Sequence, residues 1–361
     1  MITAQTEYKF GAGRFIHEQN ALRHIASESA RLGRRAYVIG GVTAMTLTRE
    51  RIAEGFGSYP YIEEVYSGFT SEAKCSNLQD SVQKNGCDVL IGVGGGRIMD
   101  LVKAAARGLN IPVITIPTIA ATCAAYTPLS LFYHEDGKFD HCVWHDSEVN
   151  AVLADSDILA NEPPRMLAAG ILDAMAKYIE IPNGHSDLTL DNTQIDLHSA
   201  YIFSRYIYDV LKDKGLQAVR DIQEGRHSKT IDDVVFANIA LTGIVSCLTR
   251  GKGQTSVAHS LYDMVRRHFY NEAKNYLHGE IVAIGLLAQL AYNSQTELIP
   301  DLRDFMRKLN MPCSLHEIGI APTNENLKTL HESMRTGRYM VQDEEHYLRL
   351  WNALNVLKEG D

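Results

Sequence analysis

The stretch Asp88-Val-Leu-Ile-Gly-Val-Gly-Gly-Gly-Arg-Ile-Met-Asp100 decides how the rest of the chain is read. Asp88 to Val93 is a short apolar run rich in branched residues, the pattern of a strand buried on both faces. Glycines crowd its end at Gly92, Gly94, Gly95 and Gly96, and a helical pattern follows with Ile98, Leu101, Val102 and Ala105 on one side. A strand that breaks at glycines straight into a helix leaves unpaired backbone N–H groups around one point. The helix dipole adds partial positive charge there, so the turn can hold a phosphate. The sixth position counted from Gly92 is Arg97, where the usual dinucleotide fingerprint requires glycine. Alone, then, the turn reads equally as a tight connection that binds nothing. Val113-Ile-Thr-Ile116 is a second buried strand, and it runs into Pro117-Thr-Ile-Ala-Ala-Thr-Cys-Ala-Ala-Tyr-Thr-Pro-Leu-Ser130. That segment is small, hydroxyl-bearing and too irregular for a helix face, which suits a loop along a ligand at the carboxyl ends of the strands.

Outward from this centre the pattern alternates. Tyr8–Gly13 reads as a short strand and turn before a helix over 17–32. Ala36–Ile39 is a strand ending at Gly40-Gly41, followed by a helix over 43–55, a strand near Ile62–Tyr66 and a helix near 71–85. Repeated β-α alternation implies a parallel sheet covered on both faces. Asp136-Gly137 between alternating residues signals a hairpin, and a last strand lies near 151–154. After Pro163-Pro164 the pattern is helical, near 165–181, 188–213, 231–249, 255–269, 279–292, 299–309 and 322–334. The expected division is an α/β domain over 1–162 and an all-α domain over 163–361.

With 361 residues, 45% hydrophobic and 22% charged, the chain has the composition of a soluble two-domain protein. A net charge of −9 without a basic block argues against nucleic acid as the main partner. No apolar stretch reads as membrane-spanning. Six cysteines without a C-x-x-C pair are expected as reduced thiols in a cytoplasmic protein.

Asp173 stands in Ala169-Gly-Ile-Leu-Asp-Ala-Met-Ala176, where an ionised carboxylate is costly unless a cation meets it. An ordinary pair with Lys177 one turn on is the plainer explanation. His259 lies on an otherwise apolar helix, where a hydrogen-bonded core histidine is the plainer reading. His278 opens a helix, whose dipole disfavours the charged ring and keeps a nitrogen lone pair free for a metal. Two histidines and a carboxylate on three helices suit a divalent catalytic metal with an open position.

Five motifs together resemble the iron-containing alcohol dehydrogenase family, in its glycerol dehydrogenase branch: Gly94-Gly-Gly-x-x-x-Asp100-x-x-Lys103, Pro117-Thr-Ile-Ala-Ala-Thr122, Ala169-Gly-x-x-Asp173, Ala258-His259 and His278-Gly-Glu280. The resemblance implies a dehydroquinate synthase-like fold, with a Rossmann-like parallel sheet binding a nicotinamide dinucleotide and a helical catalytic half. It places one divalent metal, zinc in preference to iron, on Asp173, His259 and His278. Cofactor contacts carry over onto Gly94, Gly95, Gly96, Arg97 and Ile98 at the pyrophosphate. They continue onto Thr118, Ile119, Ala121, Thr127, Leu129 and Tyr133 along the nicotinamide. The implied chemistry is Lewis-acid polarisation of a substrate oxygen with direct hydride transfer. Relatives also imply a homo-oligomer acting on a small molecule, with neither nucleic acid nor membrane as partner.

Three departures refine the resemblance. Cys123 stands where glycerol dehydrogenases carry the aspartate that contacts the polyol, and Thr122-Cys-Ala-Ala-Tyr126 resembles the hydroxycarboxylate dehydrogenases of the branch. The expected substrate is therefore a small 2-hydroxy or 2-oxo acid, with Cys123, Arg250 and Lys252 as substrate residues. Glycerol or another polyol is the alternative, and a non-catalytic nucleotide- or metal-binding relative a further one. Gly41 replaces the aspartate of NAD-preferring relatives, which favours NADP over NAD. Tyr262 replaces a further histidine and changes the pocket wall. Dehydroquinate synthase and glycerol-1-phosphate dehydrogenase share the fold but need a Lys/Arg cluster that the sequence does not offer.

Overall fold

The computed structural model describes residues 10–185 and 188–358. The chain begins with β1 (Phe15–Glu18) and a 3-10 turn, then α1 (Ile25–Leu32), β2 (Ala36–Gly41), α2 (Val42–Phe56), β3 (Tyr61–Tyr66) and α3 (Glu72–Lys84). β4 (Val89–Gly94), α4 (Gly96–Leu109) and β5 (Val113–Pro117) follow, then the hairpin β6 (Leu129–Tyr133) and β7 (Phe139–Trp144), β8 (Ala151–Asp155) and α5 (Ser156–Leu159). Six strands form one sheet in the order β1-β8-β5-β4-β2-β3, and every pairing in it is parallel. The strands are continuous apolar runs because both faces are covered; Val38, Ile91, Ile114 and Leu153 are all fully buried in its core. From β2 the chain moves outward to β3, then returns to the other side of β2 at β4. Order reverses there, and in open α/β sheets ligands bind at that switch point, beyond the carboxyl ends of the strands. β2 pairs with β4 so that Gly40 lies beside Val93, which brings the two glycine runs together.

Two expectations near the start need correction. Residues 15–18 form a strand, where the helix over 17–32 was expected to begin, because Phe15–Glu18 pairs in parallel with Val152–Asp155; the helix proper is Ile25–Leu32. Of the strand expected at 8–13, Tyr8 and Lys9 lie outside the described residues, and Phe10–Gly13 is irregular. The hairpin turns where Asp136-Gly137 predicts, with Gly137 at φ 84° and its N–H donating to the His134 carbonyl at 2.9 Å.

The remaining helices are α6 (Pro164–Glu180), α7 (Ile195–Gln223), α8 (Lys229–Phe236), α9 (Thr242–Thr249), α10 (Val257–His268), α11 (Tyr270–Ala273), α12 (His278–Tyr292), α13 (Ile299–Lys308), α14 (Asn324–Met334) and α15 (Glu344–Asn355). α15 has no counterpart among the expected helices. A π turn at Ala237–Leu241 joins α8 to α9. This run, 229–249, is long and apolar enough to cross a membrane, contrary to the sequence reading, but 67% of its most apolar window is buried inside the protein.

The chain forms two compact units. One holds the described residues up to Pro163 together with Arg220–Cys247; the other holds Pro164–Val219 and the chain from Leu248. A single cut after residue 162 therefore misplaces Arg220–Cys247. These residues return to the sheet unit through specific contacts: Asn238 donates to the Ala120 carbonyl at 3.0 Å, and Phe236 packs edge-on against Phe15 with ring centroids 5.7 Å apart. All six cysteines are free thiols.

Candidate functional site

In the sheet unit, β4 ends at Gly94, whose φ of 149° suits glycine alone, and α4 starts two residues later. The first N–H groups of α4 have no intrahelical acceptor. Gly95 is half-buried, and a Cβ there would stand 2.7 Å from Ile119 Cδ1. The absent side chain is what keeps the backbone of Gly95, Gly96 and Arg97 open beside the next loop. Arg97 is exposed with its guanidinium 5.1 Å from the Phe69 ring centre, and its carbonyl accepts from Thr70 Oγ1 at 2.9 Å. Ile98 is buried beneath the turn.

The loop after β5 is pinned from several sides. Lys103 is buried, donates to the carbonyls of Ala124 at 2.7 Å, Thr127 at 3.0 Å and Leu129, and pairs with Asp100 at 3.2 Å. This is the physical content of the spacing Asp100-x-x-Lys103: the two residues share a helix face, and the lysine ties an irregular loop to α4. Ala120 is held at both ends, its N–H by Glu162 at 2.9 Å and its carbonyl by Asn238 at 3.0 Å. Burial pushes the Glu162 carboxyl up to about 8, against the opposing pull of the Ala120 N–H. These pins leave Ile119 and Ala121 half-buried along the outer edge, with Leu129 and Tyr133 half-buried on β6. Thr118 and Thr127 are buried, and the Thr127 hydroxyl donates to the Cys123 carbonyl at 3.4 Å, inside the loop. Cys123 is half-buried, with Sγ 3.9 Å from Ser246 Oγ.

The helical unit brings together Asp173 on α6, His259 on α10 and His278 on α12. One ligand atom from each lies within 4.8 Å of the others. Nε2 of His278 is 3.1 Å from Asp173 Oδ1, and Nε2 of His259 is 3.4 Å from the same oxygen. Their convergence depends on close helix packing. A Cβ on Gly279 would stand 2.0 Å from the Ala169 carbonyl oxygen, and one on Gly285 would stand 2.6 Å from Ala258 Cα. Glycine at these points lets α12 lie directly on α6 and α10. Glu280 fixes the first turn of α12 by accepting from Leu277 N–H at 2.7 Å and taking a two-pronged pair from Arg165, at 2.6 and 2.7 Å. The motifs around Asp173 and His278 are thus partly packing motifs.

Glu180, two turns after Asp173 on α6, is fully buried. It accepts from Ser256 N–H at 2.7 Å, His259 N–H at 3.0 Å and His259 Nδ1. It caps α10 and orients the imidazole, leaving Nε2 towards Asp173, as a carboxylate behind a metal-ligating histidine does. Burial alone lowers the His259 pKa, but the Glu180 and Asp173 carboxylates outweigh it and lift it to about 9. Burial lowers that of His278. Asp173, though burial opposes its charge, is held well below the usual carboxylate range by the two histidines. Its partners are these rings; among the described residues no ion pair joins it to Lys177, so the helix-pair explanation does not hold. The Tyr262 ring meets His278 edge-to-face, with centroids 4.2 Å apart, and the Arg266 guanidinium lies 5.5 Å from the centre of the Tyr262 ring. Arg250, at φ 47°, and exposed Lys252 sit in the turn before α10.

Glu180, Glu162 and Asn238 were not singled out from the sequence, and Lys103 was noted only as the end of a motif. For Glu180 a signal existed: it falls seven residues after Asp173, again inside an apolar run on one helix face.

The family model described as "Iron-containing alcohol dehydrogenase" matches residues 12–156. The chain is 28% identical to a glycerol dehydrogenase of Thermotoga maritima over 353 residues, covering 97% of this chain and 95% of that one. It is 32% identical to hydroxycarboxylate dehydrogenase A of Escherichia coli over 295 residues, covering 81% and 79%. The crystal structure of a probable glycerol dehydrogenase from Sinorhizobium meliloti superposes with a TM-score of 0.84 at 24% identity over 98% of each chain, a likeness of fold. The chain belongs to the iron-containing alcohol dehydrogenase family, oxidoreductases acting on CH–OH groups, in its glycerol dehydrogenase branch.

Proposed function

We propose that this protein is a metal-dependent dehydrogenase that moves a hydride between a nicotinamide cofactor, NADP in preference to NAD, and a small 2-hydroxy acid or its 2-oxo form. The convergence of Asp173, His259 and His278 carries this reading. One carboxylate and two imidazoles, with a second carboxylate orienting one ring, fit a divalent ion, zinc in preference to iron. Bound there, the ion would supply Lewis acidity towards a substrate oxygen, while the cofactor carries the hydride. Asp173 stays ionised and serves as a ligand instead of a base. Glu180 holds the Nδ1 proton of His259, and the Arg165–Glu280 clamp sets α12 so that His278 Nε2 faces Asp173. None of the three residues is free to take the alcohol proton, so water or a bound cofactor's hydroxyls would have to accept it. Gly94–Ile98 would carry the pyrophosphate at the N-terminus of α4. Thr118, Ile119, Ala121, Thr127, Leu129 and Tyr133 belong to the segments that would line the nicotinamide.

Three observations support an acid substrate and NADP. A thiol at Cys123 is a poor partner for a polyol, and a relative named for hydroxycarboxylates is 32% identical. At Gly41 there is no side chain, and an added Cβ would meet nothing within 4 Å, so the end of β2 leaves room for a 2′-phosphate. The polyol alternative draws support from the glycerol dehydrogenase alignable over 97% of the chain.

An activity matrix on metal-reconstituted enzyme tests these readings, crossing 2-oxobutanoate, 2-oxoglutarate and glycerol with NADPH or NADP and NADH or NAD. Reduction of a 2-oxo acid is expected; turnover of glycerol alone would overturn the acid reading. Gly41→Asp should lower the preference for NADPH over NADH by about tenfold; an unchanged ratio would remove Gly41 from cofactor choice.

A further inference from the structure

The helical unit contains a buried cation that nothing in the site yet uses. Lys177 lies one turn after Asp173 and one turn before Glu180, so all three occupy one face of α6. The residue is only 5% exposed, yet among the described residues its ammonium makes no hydrogen bond or ion pair, and it is not among the polar atoms sealed from solvent. Lys103, the other deeply buried lysine, shows what a structural lysine looks like: it holds three carbonyls and a carboxylate. Lys177 holds none. Its charge nevertheless acts on Asp173, Glu180, His259 and His278 together.

A charge count shows what such a group is for. Asp173 and Glu180 contribute two negative charges, and a divalent ion on the ligand triad cancels them. Burial pushes the carboxyl of Asp263, one turn beyond His259, up to about 6 against the pull of His259 and Arg267. The positive charge of Lys177 is left over without a partner in the protein, on a side chain that is otherwise enclosed. A neutral polyol brings no anion in its ground state, whereas a 2-hydroxy or 2-oxo acid brings a carboxylate one bond from the reacting carbon. Lys252 is exposed and Arg250 only half-buried, so neither is as enclosed as Lys177.

We infer that Lys177 binds the substrate's carboxylate, and so selects 2-hydroxy and 2-oxo acids over neutral alcohols at this centre. The inference rests on the metal-dependent reading above and deepens it. No bond changes are assigned to Lys177; it contributes a charge-assisted hydrogen bond.

The test compares wild type, Lys177→Met and Lys177→Arg as metal-loaded holoenzymes. Three measurements are made: kcat and KM for 2-oxobutanoate and for glycerol, calorimetric binding of oxamate, and metal content. In Lys177→Met the KM for 2-oxobutanoate should rise about 10- to 100-fold, oxamate binding should weaken by a similar factor, and the acid-to-glycerol ratio of kcat/KM should fall at least about tenfold. Lys177→Arg should recover part of the loss, and metal content should match wild type. Equal losses on acid and glycerol, unweakened oxamate binding or loss of the metal would each overturn the inference. Wild type that reduces no 2-oxo acid and binds no oxamate would overturn the acid reading itself. Wild type that takes acids, with a variant that takes them equally well, would overturn only the role of Lys177.

Discussion

The sheet unit and the helical unit build their candidate sites on opposite principles. At the end of β4 the material is backbone: glycines withhold side chains, α4 offers its N–H groups, and the loop above is shaped from outside by Lys103, Glu162 and Asn238. Around Asp173 the material is titratable side chains from three helices, each fixed by another buried charge or by a glycine contact. A surface meant to receive a large, flexible ligand can be made by omission. A centre meant to hold one ion needs donors placed within a few tenths of an ångström, and therefore a rigid second layer. The comparison leads to a ranking of variants, steepest on the side-chain half.

Asp173→Asn should be the most damaging. It removes the carboxylate that both histidines face, and kcat/KM should fall by at least about a thousandfold together with loss of bound metal. Steady-state kinetics and elemental analysis of the purified variant would show it; a metal-replete, active Asp173→Asn protein would refute the ligand assignment. Glu180→Ala leaves every ligand in place but frees His259 to turn, and metal affinity should weaken about 10- to 100-fold. Competition with a chelator measures this, and unchanged affinity would make Glu180 a helix cap only.

On the backbone half, Gly95→Val should act on one ligand alone. The new side chain would collide with Ile119, and the KM for the nicotinamide cofactor should rise about tenfold while metal content stays normal. Equal damage to both would break the contrast drawn here. The smallest effect concerns pH. Glu162, raised from 4.5 to about 8, keeps its proton in the folded protein where the unfolded chain has lost it. Folded protein therefore binds more protons between about pH 4.5 and 8, and its contribution to stability falls as pH rises through that window. Glu162→Gln, which can still accept from the Ala120 N–H, should flatten this decline, with melting temperatures differing from wild type by a few degrees more at pH 8 than at pH 5. Parallel melting curves across that range would show that the carboxyl titrates normally.

Much of the backbone half could be read from the chain in order. Buried strands, glycine runs and the hydroxyl-bearing loop are local patterns, and the parallel sheet follows from their alternation. β1 escaped this reading because Phe15–Glu18 is a strand only by virtue of pairing with β8, far along the chain. Arg220–Cys247 looked like more of the helical domain because helical periodicity does not say against which unit a helix packs. Asp173, His259 and His278 were recognisable from the motifs around them, but the surroundings of Glu180 and Lys177 were not: these come from depth and from the neighbours that other helices bring.

Sequence alone determined the alternating sheet, the glycine turn after β4 and the family to which the chain belongs, because each is written in nearby residues or in motifs of defined order. Only the tertiary structure decided which carboxylate orients which histidine, which buried lysine is spent on a loop and which is left over, and where the segment carrying Asn238 returns. Those are properties of distance and desolvation, and neither exists until the helices have packed.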